Sequence, residues 1–181
     1  MEIKPIETFY NGYRFRSRLE ARWAVFFDEA GIKYEYEPEG FDLGDGLFYL
    51  PDFYLPDEDT WVEVKGKPLS IEEREKIERF CLAKCSSNSK IKFRLFEGEI
   101  PNKLYESKRG ANGILCFTYL APKGFKYAME NLFGTKIELP LQGVLIEAIW
   151  ESNHSYQKIL KALTMARQAR FEHGETPRIR K

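Results

Sequence analysis

Between Ser17 and Glu97 the spacing of apolar residues changes period three times, and few folds accommodate that order. Leu19, Trp23, Phe26, Phe27 and Ala30 recur every three or four residues, as one face of a helix does, until Gly31 ends the run. Ile32, Tyr34 and Tyr36 then alternate with charged neighbours. Leu47 to Leu55 is a second strand-like run rich in aromatics, and Val62 and Val64 alternate with Trp61, Glu63 and Lys65. From Ser70 to about Lys84 the helical spacing returns, and Ile91 to Glu97 reads as a further strand. Helix, three strands, helix, strand predicts an α/β fold whose mixed central sheet is flanked by helices.

The boundaries carry their own signals. Ser17 followed by Glu20, and Ser70 followed by Glu73, are capping boxes that satisfy the orphan N–H groups of a first helical turn. Tyr10-Asn11-Gly12-Tyr13 reads as a hairpin, since Asn-Gly accepts the positive φ angles of a tight turn, and Pro56 to Asp59 reads as an acidic turn. Past Pro101 the pattern weakens. It gives a buried strand over Gly113 to Leu120, a short helix over Phe125 to Phe133, strand over Lys136 to Ile149 broken at Pro140, and a long helix from a Ser155 cap to Phe171. The predicted organisation is a core over 1–97, an insertion or extension over 98–152, and a C-terminal helix and basic tail over 153–181 packed on the core.

The 181 residues carry 28 basic and 28 acidic side chains, and 43% are hydrophobic. That balance excludes a polycation, and it excludes a disordered chain, which would combine high net charge with few apolar residues. The charge is unevenly spread: Asp28 to Glu63 holds twelve acids against Lys33 alone, whereas His154 to Lys181 holds seven bases against Glu172 and Glu175. Cys81, Cys85 and Cys116 contain no CxxC pair and point to neither a disulfide framework nor a zinc site. No apolar run is long enough to span a membrane and the first residues lack a signal-peptide pattern, so a soluble, cytoplasmic protein is expected. No phosphate-binding glycine loop is present, which predicts no nucleotide cofactor, and His154 and His173 sit in no histidine-based catalytic motif.

Chemistry concentrates in Pro51-Asp52 and Glu63-Val64-Lys65. On a strand, residues two apart point the same way, so Glu63 and Lys65 project together. If the second and third strands pair as a hairpin, Asp52 joins them at the end of a sheet. Hard divalent cations such as Mg²⁺ and Mn²⁺ prefer oxygen ligands and retain waters, which suits Asp52, Glu63 and the backbone carbonyl of Val64. Such an ion polarises a phosphate and acidifies a water, while a neighbouring lysine orients that water or stabilises developing negative charge. Without a cation, two adjacent buried carboxylates repel and one takes up a proton.

These motifs, in this element order, resemble the PD-(D/E)XK nuclease superfamily, which includes restriction endonucleases, recombination exonucleases and Holliday junction resolvases. The resemblance implies a restriction-endonuclease-like core with a C-terminal extension, Asp52 and Glu63 as metal ligands, Lys65 as the catalytic lysine, and Mg²⁺ or Mn²⁺ as cofactor. Many members place a glutamate on the helix before the strands, and Glu20 in Arg16-Ser17-Arg18-Leu19-Glu20-Ala21-Arg22-Trp23 occupies that place. The implied role is an accessory ligand or water orienter; the capping box with Ser17 explains the same residue structurally. Tyr10 to Gly66, and the ending Ala169 to Pro177, look like small nuclease-like proteins often encoded by phages. That implies DNA processing, recombination or repair in a bacterial host cytoplasm.

Arg14, Arg16, Arg18 and Arg22, the last three off the apolar stripe of their helix, are candidate phosphate contacts to double-stranded or branched DNA. Lys158, Lys161, Arg167 and Arg170 along the last helix are further candidates. Tyr10, Tyr13 and Phe15 read as core or as base-stacking groups, and Lys76 as an ion-pair partner of Glu72 or a phosphate contact. Two rival functions share these residues. One is a nuclease fold that binds nucleic acid without cutting; the other is a phage anti-defence protein that binds through Pro101 to Ser152. The same site serves nicking, double-strand cutting, end resection and junction resolution, and a homodimer is compatible with it.

Overall fold

The structure, a computed structural model, describes residues 5–85, 91–100, 114–119 and 156–171. It opens with a hairpin of β1 (Thr8–Tyr10) and β2 (Tyr13–Phe15), paired from Thr8↔Phe15 to Tyr10↔Tyr13. Asn11 at φ 46° and Gly12 at φ 85° make the two-residue turn that the Asn-Gly pair predicts. Helix α1 (Arg18–Ala30) starts on Ser17, whose hydroxyl oxygen accepts the N–H of Glu20 at 3.2 Å. It stops at Gly31, left-handed at φ 75°, whose N–H closes on the carbonyl of Asp28 at 3.0 Å. The predicted stripe of Trp23, Phe26, Phe27 and Ala30 is buried.

Next come β3 (Glu35–Tyr36), a ribbon of β4 (Phe41–Asp42) and β5 (Phe48–Tyr49), then β6 (Phe53–Leu55) and β7 (Thr60–Lys65). Helix α2 (Ile71–Cys85) leads to β8 (Ile91–Glu97), followed by β9 (Ile114–Tyr119) and α3 (Tyr156–Gln168). One mixed sheet has the order β3-β6-β7-β8-β9, with β7 and β8 parallel and the other neighbours antiparallel. A parallel pair needs a long crossover. Helix α2 supplies it, opened by the reciprocal hydrogen bonds of Ser70 and Glu73. Ile114–Tyr119, within the stretch read as an insertion, pairs along β8 from Ile91↔Tyr119 to Phe96↔Ile114.

Two strand expectations are corrected. The single strand expected over Leu47–Leu55 is two, β5 and β6, interrupted at Leu50-Pro51-Asp52. Pro51 has no N–H to give to a ladder, so pairing stops there and β5 turns aside to β4. The strand expected over Ile32–Glu37 shrinks to Glu35–Tyr36, because its partner β6 is short and Glu37, at φ 46°, turns the chain away. Its N–H donates to the carbonyl of Asp52 at 2.9 Å. The helix expected over Phe125 to Phe133, the strand over Lys136 to Ile149, the Ser155 cap and the tail after Gly174 lie outside the described residues.

Helices cover both faces of the sheet, giving a mixed α/β architecture. On one face Phe53, Val62, Val64 and Phe96 pack against Trp23 and Phe27 of α1, which in turn packs on Ile159, Leu163 and Ala166 of α3. The rings of Trp23 and Phe96 lie 4.2 Å apart between centroids. On the other face Trp61, Phe93 and Leu95 meet Ile77, Phe80 and Cys81 of α2. Truncating one such buried ring to alanine costs about 3–5 kcal/mol. Strand β7 is thus pinned between two cores, which fixes where its polar side chains emerge. Among the described residues no helix is long and apolar enough to cross a membrane.

Candidate active site

The break at Pro51 positions the first functional group. Strands β6 and β7 pair with Leu55 opposite Thr60 and Phe53 opposite Val62, so the continued register sets Asp52 opposite Glu63. Ladder pairing has ended there, and the N–H of Val64 donates instead to Asp52 Oδ2 at 2.7 Å. The carboxylate replaces a missing ladder partner, which satisfies a buried N–H and orients the acid. Val62 and Val64 enter the α1 core, leaving Trp61, Glu63 and Lys65 on the face toward α2, as the alternation predicts.

Glu63 and Lys65 are held from three elements. Glu63 Oε2 accepts the hydroxyl of Tyr49 on β5 at 2.8 Å, and Lys65 Nζ lies 2.9 Å from Glu63 Oε1 and 3.1 Å from Glu73 Oε1. Glu73 Oε2 accepts the N–H of Ser70 at 2.8 Å. One oxygen of this capping-box acid therefore closes the turn of α2 and the other steadies the lysine.

Burial dominates the electrostatics, since Asp52 is 8% exposed and Glu63 4%. Burial, then the charges of Glu63 and Glu20, push Asp52 well above the usual carboxylate range against the pull of the Val64 N–H and Lys65. Burial raises Glu63 too, but Lys65, the Tyr49 hydroxyl and the Asp52 N–H favour its charged form. Of the two, Asp52 holds a proton more readily. Partial burial works against the charge on Lys65, yet Glu63, Glu73 and Asp52 outweigh it and raise its pKa, so the lysine is cationic.

Glu20 is held in the first turn of α1 and also faces the pocket. Its Oε1 accepts the Ser17 hydroxyl at 2.6 Å, and its Oε2 accepts the Tyr36 hydroxyl at 2.6 Å and the N–H of Arg16 at 3.1 Å. It also lines a pocket of about 690 Å³ together with Asp52, Glu63, Val64 and Lys65. Across that pocket its charge contributes to the raised pKa of Asp52.

The eight basic candidates are dispersed. Arg16 lines the pocket and pairs through Nε with Glu37 Oε1 at 2.7 Å. Arg14 pairs with Glu7 on the exposed hairpin, and Arg18 is half-buried at the start of α1. Arg22 does not face outward as expected: it is half-buried, and its Nε donates to the carbonyl of Ala169 at 3.2 Å, joining α1 to the end of α3. Lys158, Lys161, Arg167 and Arg170 are exposed on or just after α3, on the α1 side of the sheet and not on the pocket wall. Tyr10 and Phe15 are core, and Tyr13 packs beside them. Lys76 lines the pocket, while Glu72, its expected ion-pair partner, accepts the Ser70 hydroxyl at 2.7 Å.

Among the described residues no group of three or more His, Cys, Asp or Glu side chains is gathered to hold an ion. Two carboxylates and a strand carbonyl remain, all oxygen donors, and that set fits Mg²⁺ or Mn²⁺, which keep several waters, better than Zn²⁺. Tyr49, Tyr36 and Glu73 escaped the sequence reading as site residues. Only the capping-box spacing of Glu73 gave any local signal, and the tyrosines reach the acids through tertiary contacts. A scan of protein-family models, a search of curated proteins and a search of solved structures each return no match to this chain.

Proposed function

We propose that the chain is a metal-dependent nuclease that hydrolyses DNA phosphodiester bonds on a restriction-endonuclease-like core of the PD-(D/E)XK type, phage-encoded and acting in the bacterial cytoplasm. The observation that carries this reading is the convergence of Asp52, Glu63 and Lys65 at the floor of one pocket, with both acids buried. A purely structural role would not repay two carboxylates placed side by side where burial raises both pKa values.

Asp52, Glu63 and the carbonyl of Val64 would hold Mg²⁺ or Mn²⁺, whose chemistry there is Lewis-acid polarisation of the phosphate and acidification of a water. Lys65, kept cationic by Glu63 and Glu73, stabilises negative charge on the phosphoryl oxygens as the bond breaks. Tyr49 holds Glu63 and Val64 holds Asp52, so neither acid needs to reorganise during reaction. Arg16 and Lys76 on the pocket wall neutralise flanking phosphates. Water is the nucleophile, and no covalent enzyme intermediate is required.

The test is incubation of supercoiled, linear and branched DNA with Mg²⁺, Mn²⁺ or EDTA, using wild type, Glu63→Gln and Lys65→Ala. Cleavage is expected only with the cation and is lost in Glu63→Gln. Lys65→Ala lowers it by about 10²–10³-fold, the usual loss when one transition-state donor is removed. Equal activity in wild type and variants would sink the reading.

A further inference from the structure

Phe48 is 65% exposed and lines the pocket. Its neighbour Tyr49 points inward to Glu63 and Phe80, so the alternation of β5 turns Phe48 outward. Phe41, on the same pocket wall, is packed edge-on against Trp61 and against Phe80, with the ammonium of Lys84 4.1 Å from its ring centroid. Phe48 has no ring or cation partner among the described residues. Phe9 is as exposed, at 67%, but it carries the Arg14 guanidinium 5.7 Å over its ring and lies off the pocket.

A lone exposed phenylalanine is ordinary on a protein surface. One that shares a pocket with Lys76 is not: that lysine has no acidic partner among the described residues, whereas Arg16 and Lys65 on the same wall are paired with Glu37 and with Glu63 and Glu73. Positive charge and an open aromatic face are the two halves of a single-strand site, one for phosphate and one for base. In a duplex the base faces are covered by their neighbours, and a ring beside the backbone has nothing to stack on. Asp52 and Glu63, 8% and 4% exposed, are reached through a pocket, which a flexible single strand enters more readily than a stiff duplex.

We infer that the strand taken into this pocket is unpaired DNA, a single strand or a tail projecting from a duplex, and that a base stacks on Phe48. The inference rests on reading the pocket as a phosphodiester site, and it adds the form of the substrate.

Binding separates it from the chemistry. Fluorescence anisotropy would compare a labelled single strand, a blunt hairpin duplex of the same sequence and a tailed duplex. It would use wild-type protein in EDTA, where no cleavage is expected. The single strand and the tailed duplex are expected to bind more tightly than the blunt duplex. Phe48→Ala weakens single-strand binding by roughly tenfold and leaves the blunt duplex unchanged, whereas Phe48→Trp retains affinity. Because Phe48 packs on no ring, the fold tolerates these changes. Single-strand affinity unaltered by Phe48→Ala, a blunt duplex bound as tightly as the single strand, or no binding of either would overturn the inference. Binding with this pattern but no cation-dependent cleavage would instead sink the hydrolytic reading alone.

Discussion

Asp52 Oδ2 accepts the N–H of Val64 at 2.7 Å, so the acid that precedes β6 is bound to the centre of the Glu63-Val64-Lys65 run. This bond holds Asp52 beside Glu63 at a depth where burial and like charge raise its pKa. Ionising a group whose folded pKa is raised opposes folding. The stability contributed by the protonated form is complete below the unfolded value, about pH 4, and is lost as pH rises through the folded value. Asp52→Asn keeps an oxygen that can accept from Val64 and removes the charge. In EDTA at pH 8 its urea midpoint should exceed that of wild type, and the gap should close toward about pH 4. A variant less stable than wild type at pH 8 would show that the charge itself supports the fold.

A cation that binds only the folded chain stabilises it by mass action, by about 2.7 kcal/mol at 100 times its Kd. Mg²⁺ or Mn²⁺ should therefore raise the melting temperature of the wild type with concentration, and EDTA should reverse the rise. Asp52→Asn and Glu63→Gln should lose this response even where they are more stable than wild type in EDTA. Differential scanning fluorimetry reads both effects, and a rise retained in both variants would place the ion elsewhere.

Local signals made much of this architecture readable. Ser17, Gly31, Ser70 and Asn11-Gly12 mark turns and helix ends through their own backbone and side-chain chemistry, and the structure uses each of them that way. The alternation in β7 likewise foretold which side chains share a face. Pro51 divides an apolar run that otherwise reads as one strand into β5 and β6, and that division frees Asp52 from the ladder. What no local pattern reveals is the reach of Tyr36 to Glu20 and of Tyr49 to Glu63, because those contacts exist only after β3 and β5 are placed. Arg22 is a similar case. Its position off the apolar stripe predicts solvent, but α3 arrives from the other end of the chain and covers it.

Glu20 is satisfied on both oxygens, so its removal is first a structural loss. Glu20→Ala leaves the Tyr36 and Ser17 hydroxyls without the carboxylate they donate to, although the Ser17 hydroxyl still caps the N–H of residue 20 and the Arg16 N–H still donates to the Tyr36 hydroxyl at 3.0 Å. A cost of about 2–3 kcal/mol is expected in urea denaturation. Tyr36→Phe should cost about half as much: it removes one donor to Glu20 and one of the two acceptors of the Arg16 N–H, which Glu20 still accepts, and it retains the ring contact with Phe15 at 4.4 Å. Ser17→Ala should cost about 1 kcal/mol while preserving cleavage. A Ser17→Ala protein of near-normal stability but without cleavage would mean that the hydroxyl orients Glu20 for chemistry as well as for capping.

Tyr49, after Lys65, favours the ionised state of Glu63. Its hydroxyl donates to Glu63 Oε2 at 2.8 Å and favours the ionised carboxylate, in opposition to burial, which raises the pKa. In Tyr49→Phe that support is gone and the Glu63 pKa rises further, so the carboxylate is available as a ligand only at higher pH. The pH at which Mg²⁺ begins to raise the melting temperature should therefore move upward relative to wild type. The stability loss without cation, about 1.5–3 kcal/mol for a hydrogen bond to a charged group, should shrink as pH falls and Glu63 becomes neutral. Melting curves across pH, with Mg²⁺ or EDTA, measure both. An unchanged onset would show that protonation of Glu63 does not limit cation binding and would remove this carboxylate from the ligand set.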